Sequence, residues 1–159
     1  MLATNPMRDV LTKVLRLLQS GMESHDPSYR MLRYWSALEQ LYGEPGNAGG
    51  NQDRTVRRAT FAEEDQLVAQ WKLSHIARVR NAYVHAGDNG DEVSTMSQHL
   101  RQLLTRHVHF LIHNAKDFSH AEWLRMADLK GTVEDMERLK ELIDLRVSLV
   151  APSTCLLGE

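Results

Sequence analysis

Apolar residues recur every three to four positions along nearly all of this chain, and no stretch reads convincingly as a strand. A spacing near 3.6 lines one face of a helix, whereas a half-buried strand needs a period of two. The pattern therefore confines the chain to amphipathic helices that must bury their stripes against one another. It predicts an all-α fold, an antiparallel helical bundle of about five to six helices. Turn-forming residues set the boundaries. A first helix is expected over roughly 6–19, with Val10, Val14, Leu17 and Leu18 on one face. Asp26-Pro27 reads as an N-cap followed by proline at the first helical position, opening a helix that carries Met31, Trp35, Leu38 and Tyr42 and stops at Gly43. GEPGNAGGNQ (43–52) reads as a loop. A third helix is expected from Thr60, paired with Glu63 as a capping box, to about Ala86, where GDNGDE (87–92) breaks it. A fourth follows over 93–114, with Met96, Leu100, Leu103, Leu104, Val108 and Leu111 as its stripe. Shorter helices near 118–128 and 132–149 complete a single domain over 1–151, with 152–159 as a loose tail.

A length of 159 residues with 42% apolar and 25% charged residues suffices for one packed core. No run approaches the ~18 apolar residues of a membrane span, so no membrane association is expected. The opening MLATNPMRDVLTKVL mixes charge with apolar positions, unlike a signal peptide. The single Cys155 excludes an intrachain disulfide and suits a reducing compartment, so a cytoplasmic location is expected. The net charge of −2 provides no global basic field, so any nucleic-acid surface must be local.

The residues with the most chemical content lie in RVRNAYVHAG (78–87), near the end of the third expected helix. His85 can move a proton near neutral pH, and the Arg80 guanidinium can fork onto phosphate oxygens. On an ideal helix Asn81 and His85 share nearly one line, while Arg80 and His85 stand roughly 140° apart. Either the length of the arginine side chain or a second copy of the helix across a two-fold axis would bring them together, and the latter predicts a homodimer. Gly87 is a natural terminator, and the carbonyl dipoles before it favour an imidazolium by ~0.3–1 kcal/mol. Solvation at a helix end would equally suit an Arg and a His. Asn81, a weak helix former in a helix interior, asks for a further reason.

The run Arg80-Asn81-Ala82-Tyr83-Val84-His85 resembles the Arg, polar residue, short spacer, His signature of the HEPN superfamily. YWSALEQLYG (34–43) is similar to the second core helix of its Apea-like branch, and the resemblance spans roughly 26–115. It implies a helical bundle that dimerises and sets two motifs in a shared cleft. The implied activity is metal-independent endoribonuclease cleavage, in toxin–antitoxin, anti-phage or CRISPR-linked settings. The alternative it implies is a non-catalytic module that binds RNA or docks a protein. On this resemblance His85 is the acid/base acting on the ribose 2′-hydroxyl, Arg80 stabilises the phosphorane-like charge, and Asn81 positions the phosphate or the histidine. The product would end in a 2′,3′-cyclic phosphate, with no cofactor. Glu39 would orient Arg80. Gly87 stands where the nucleotidyltransferase-paired branch has a tyrosine, so that branch's control is not expected. Apea-like members often carry another domain ahead, so an antitoxin, a sensor protein or a missing N-terminal domain are the candidate regulators.

Arg54, Arg57 and Arg58 beside the glycine-rich loop, together with Arg78, are candidate RNA phosphate contacts. His107, His109 and His113 lack the glutamate and cysteine companions of a zinc site, so no metal is expected and His107 reads as a packed or interface histidine. Trp35 and Trp71 read as core, and Val68, Trp71, Ile76, Val79, Ala82 and Tyr83 as the core face of their helix. VEDMERLKELIDL (133–145) reads as an amphipathic helix that packs on the bundle or extends a dimer interface.

Overall fold

The computed structural model describes residues 5–44, 51–86, 92–114, 117–129 and 133–150, and every regular element among them is a helix. In chain order these are α1 (Arg8–Glu23), α2 (Pro27–Tyr42), α3 (Gln52–Thr60), α4 (Gln66–Ala86), α5 (Glu92–Asn114), α6 (His120–Ala127) and α7 (Val133–Val150). Seven helices exceed the expected count, chiefly because α3 fills 53–59, the stretch between the expected loop and the expected third helix, which carries little apolar signal. The chain divides into two compact units, 1–128 and 129–159, where the sequence reads as one domain to residue 151; the expected tail, 152–159, lies outside the described residues.

In the first unit α2 is the centre. Met31, Tyr34, Trp35, Ala37, Leu38, Leu41 and Tyr42 are all buried, so this helix is enclosed on most of its circumference by α1 and α5. Its start is the expected one, with the Asp26 carboxylate accepting from the Ser28 amide at 2.9 Å and Pro27 following. α1 runs four residues beyond its expected end and buries Leu11, Val14, Leu18 and Gly21. Gly21 prolongs this stripe because a β-carbon there would overlap the Tyr34 ring of α2. α5 buries Leu100, Leu103, Leu104, Val108 and Leu111, as its periodicity predicts. α6 opens on a reciprocal capping box between Ser119 and Glu122 that satisfies two otherwise orphaned backbone donors.

The region before α4 departs from expectation. Thr60 does not cap a helix start; it ends α3, and its hydroxyl donates to the Arg57 carbonyl at 2.8 Å. Asp65 performs the capping instead, accepting from the Val68 amide at 3.0 Å. Glu63 turns away to Arg106 and His107. The core face of α4 is likewise rotated: Ala69, Leu73, Ile76 and Ala77 are buried, whereas Val68 is exposed and Trp71 is 66% exposed. α4 has apolar residues on both sides, and the presence of α3, which packs against it, selects the second. Trp35 occupies the core as expected; Trp71 does not.

Candidate functional site

Arg80 falls within roughly 40° of Leu73 and Ile76 around α4, on the buried side of the helix. Its guanidinium is half-buried, and NH1 donates to the Asn81 side-chain oxygen at 2.8 Å. The Asn81 amide nitrogen in turn donates to the Gln52 side-chain oxygen, at the start of α3, at 3.0 Å. This contact orients the amide, because a nitrogen committed to Gln52 leaves the oxygen for Arg80. Arg80 Nε is enclosed and meets no acceptor, and no carboxylate pairs with Arg80 among the described residues. The result is a partly desolvated cation held by neutral partners, with donor capacity unspent. The structure thus brings Arg80 and Asn81 together, with Gln52 as a third member. Gln52 carried no signal in the sequence, where it closes an expected loop.

His85 belongs to the last turn of α4 by its backbone; its side chain and the expected terminator Gly87 lie outside the described residues. Glu39 is not the partner of Arg80. Its carboxylate accepts from Trp35 Nε1 at 2.8 Å along the same helix, so its role is to satisfy a buried indole.

The arginines of α3 are also reassigned. Arg58 is only 4% exposed and forks onto both carboxylate oxygens of Asp128, at 2.8 and 2.7 Å. Its NH1 donates to the Tyr42 carbonyl at the end of α2, at 2.9 Å. Arg54 is bound to Asp128 at 2.6 Å and also pairs with Glu44. Asp128 is the C-cap of α6, where the helix dipole disfavours an anion, and two guanidinium groups offset this. Their hydrogen bonds hold its carboxyl well below the usual carboxylate range. Arg58 and Arg54 therefore tie α3 to α2 and α6 rather than waiting for phosphate. Arg57, 3.7 Å from Asp128 and about half exposed, remains more accessible, and Arg78 is exposed on α4.

His107 is a packed histidine, as expected. Nδ1 faces the Tyr42 hydroxyl at 2.8 Å and Nε2 the Glu63 carboxylate at 2.7 Å, while Arg106 donates to the other Glu63 oxygen at 2.8 Å. A neutral ring satisfies both contacts, accepting from Tyr42 and donating to Glu63. Burial pushes the His107 pKa down, partly offset by Glu63, and drives the Tyr42 hydroxyl upward. The His109 and His113 rings lie 4.4 Å apart, and no group of three or more candidate metal ligands occurs among the described residues. A cavity of about 300 Å³ opens between the 61–65 turn, α4 and α5, lined by Glu63, Lys72, Leu73, His99 and Arg106. It follows α4 only as far as Ile76, one turn short of Arg80, so it is separate from the motif.

Among the described residues no helix is long and apolar enough to cross a membrane. Comparison of the chain with protein-family models, with curated proteins and with solved structures finds no match.

Proposed function

We propose that the chain is a HEPN-type, metal-independent endoribonuclease that works as a homodimer in the cytoplasm, in a toxin–antitoxin or anti-phage setting. The observation that carries this reading is the Arg80 guanidinium, half-buried, unpaired with any described carboxylate and braced through Asn81 by Gln52. A cation so placed attracts a phosphate and stabilises charge that grows on it more strongly than a solvated one. In this reading the His85 imidazole takes the proton of a ribose 2′-hydroxyl. The 2′-oxygen then bonds to phosphorus while the bond to the 5′-oxygen breaks. The leaving oxygen takes up a proton, and a 2′,3′-cyclic phosphate remains. Arg80 faces the charge of the five-coordinate phosphorus. Positions 80 and 85 lie on different sides of α4, so the complete site takes one group from each of two copies.

Incubation with mixed RNA in EDTA tests the reading. Cleavage to cyclic-phosphate ends is expected, reduced by roughly 10²–10⁴ in His85→Ala. Absence of cleavage by the unaltered protein, or undiminished cleavage by His85→Ala, would refute catalysis. RNA retained intact, with retention lost in Arg80→Ala, would instead support a non-catalytic RNA-binding module.

A further inference from the structure

The outward side of α4 presents Trp71, 66% exposed, while the other two tryptophans, Trp35 and Trp123, are each 1% exposed. Its indole lies nearly parallel to the His75 imidazole, with 12° between the planes and 6.1 Å between centroids. Lys72 and Arg78 are exposed nearby and make no ion pair among the described residues. Arg78 stands two turns further on, within roughly 20° of the line of Trp71 and about 10 Å along the axis, and position 85 follows two turns later near the same line. Leu67 and Val68 are exposed at the other end, but Glu64 and Asp65 adjoin them, so the face is acidic at its start and basic toward the motif.

We propose that this face of α4 binds single-stranded RNA, one base stacking on Trp71 and the phosphate backbone crossing Arg78 toward the end of the helix. The choice of ligand rests on the ribonuclease reading; the site rests on its own geometry. An aromatic plate flanked by cations is the arrangement that holds unpaired bases, because every base offers a π-face and every linkage a negative charge. The core of a protein interface, in contrast, is depleted of charge, and here Lys72 and Arg78 interrupt the apolar surface. Duplex RNA keeps its bases stacked on one another and offers none to Trp71. The Glu92 carboxylate meets the His75 ring at 3.1 Å and holds the imidazole beside the indole.

Because Trp35 and Trp123 are enclosed, quenching of tryptophan fluorescence by a bound base reports on Trp71. The test titrates the full chain carrying His85→Ala with a single-stranded RNA oligomer and with the same sequence as a duplex. Saturable quenching by the single strand is expected, with much weaker quenching by the duplex. Adding Trp71→Ala abolishes the quenching and weakens binding, followed by anisotropy of a labelled oligomer, roughly tenfold. Trp71→Phe retains most of the affinity, and Arg78→Ala lowers the slope of log affinity against log salt by about 0.7. Equal binding of both forms, or unchanged affinity in Trp71→Ala, overturns the proposal. So does dissociation of a homodimer by Trp71→Ala, which makes the face a contact between copies. Quenching without any RNA cleavage by the unaltered chain in EDTA supports the strand site and removes the ribonuclease reading; cleavage without quenching does the reverse.

Discussion

Replacing Arg58 by alanine removes a group that bonds at once to Asp128 and to the Tyr42 carbonyl at the end of α2. Three hydrogen bonds are lost, two to the Asp128 carboxylate and one to the Tyr42 carbonyl. Breaking a buried ion pair from one side costs about 3–5 kcal/mol, most of it the penalty of stranding the remaining charge. Asp128 retains Arg54, and its side chain is 23% exposed, so the lower end of that range applies, about 3 kcal/mol. Against a total stability of about 5–15 kcal/mol this is a severe loss. For a chain of this size it corresponds to a fall of roughly 10 °C in melting temperature. Urea unfolding followed by circular dichroism measures it directly. Repeating Arg58→Ala in an Asp128→Asn background then gives the coupling between the two residues, expected above about 1 kcal/mol. A loss below about 1 kcal/mol, or an equal loss in both backgrounds, would refute the reasoning and return Arg58 to the pool of available cations. The pair also has a pH signature. Its depressed carboxyl pKa contributes stability above the unfolded carboxylate value, about 3.9, that is lost as the pH falls below it.

Burial lowers the His107 pKa, so the unfolded chain binds its proton more readily than the folded one. Stability is then complete above the unfolded value of about 6.5 and declines as the pH falls through it, and a melting series from pH 7.5 to 5 shows this slope flattened in His107→Gln. Tyr42→Phe leaves His107 Nδ1 without its donor and costs about 1–3 kcal/mol by urea unfolding, the hydroxyl being the partner it meets at 2.8 Å. Gly21→Val drives a side chain into the Tyr34 ring and costs about 1–3 kcal/mol by the same measurement, with α1 and α2 forced apart.

If both proposals hold, α4 has two working sides. Its buried side supplies a cation braced at Arg80, and its outward side supplies an aromatic track from Trp71 through Arg78 toward position 85. A helix end is a suitable place to join them, because groups on different sides of a helix are held apart along its length and both become accessible at its last turn. The dependence on a second copy for a complete site would make assembly a means of controlling activity.

The sequence by itself determined the all-helical class, because a 3.6-residue apolar period permits no other burial. It also determined the start of α2, since Asp26 and Pro27 act locally, and the stripe of α5, which has one apolar side and thus one way to pack. Arg80, Asn81 and His85 stood out in the sequence by residue type, and the contact between Arg80 and Asn81 is what the structure adds. Tertiary structure decided everything that depends on a neighbour distant in sequence. α3 is marked mainly by Val56 and Ala59, and its burial depends on Arg58, whose partner Asp128 lies 70 residues away. Local pattern cannot distinguish an arginine awaiting phosphate from one already spent on a distant carboxylate. The same limit moved Glu39 from Arg80 to Trp35 and brought Gln52 to Asn81. It also exposed Trp71, because α4 offers apolar residues on two sides and only the packing of α3 and α5 selects which becomes core.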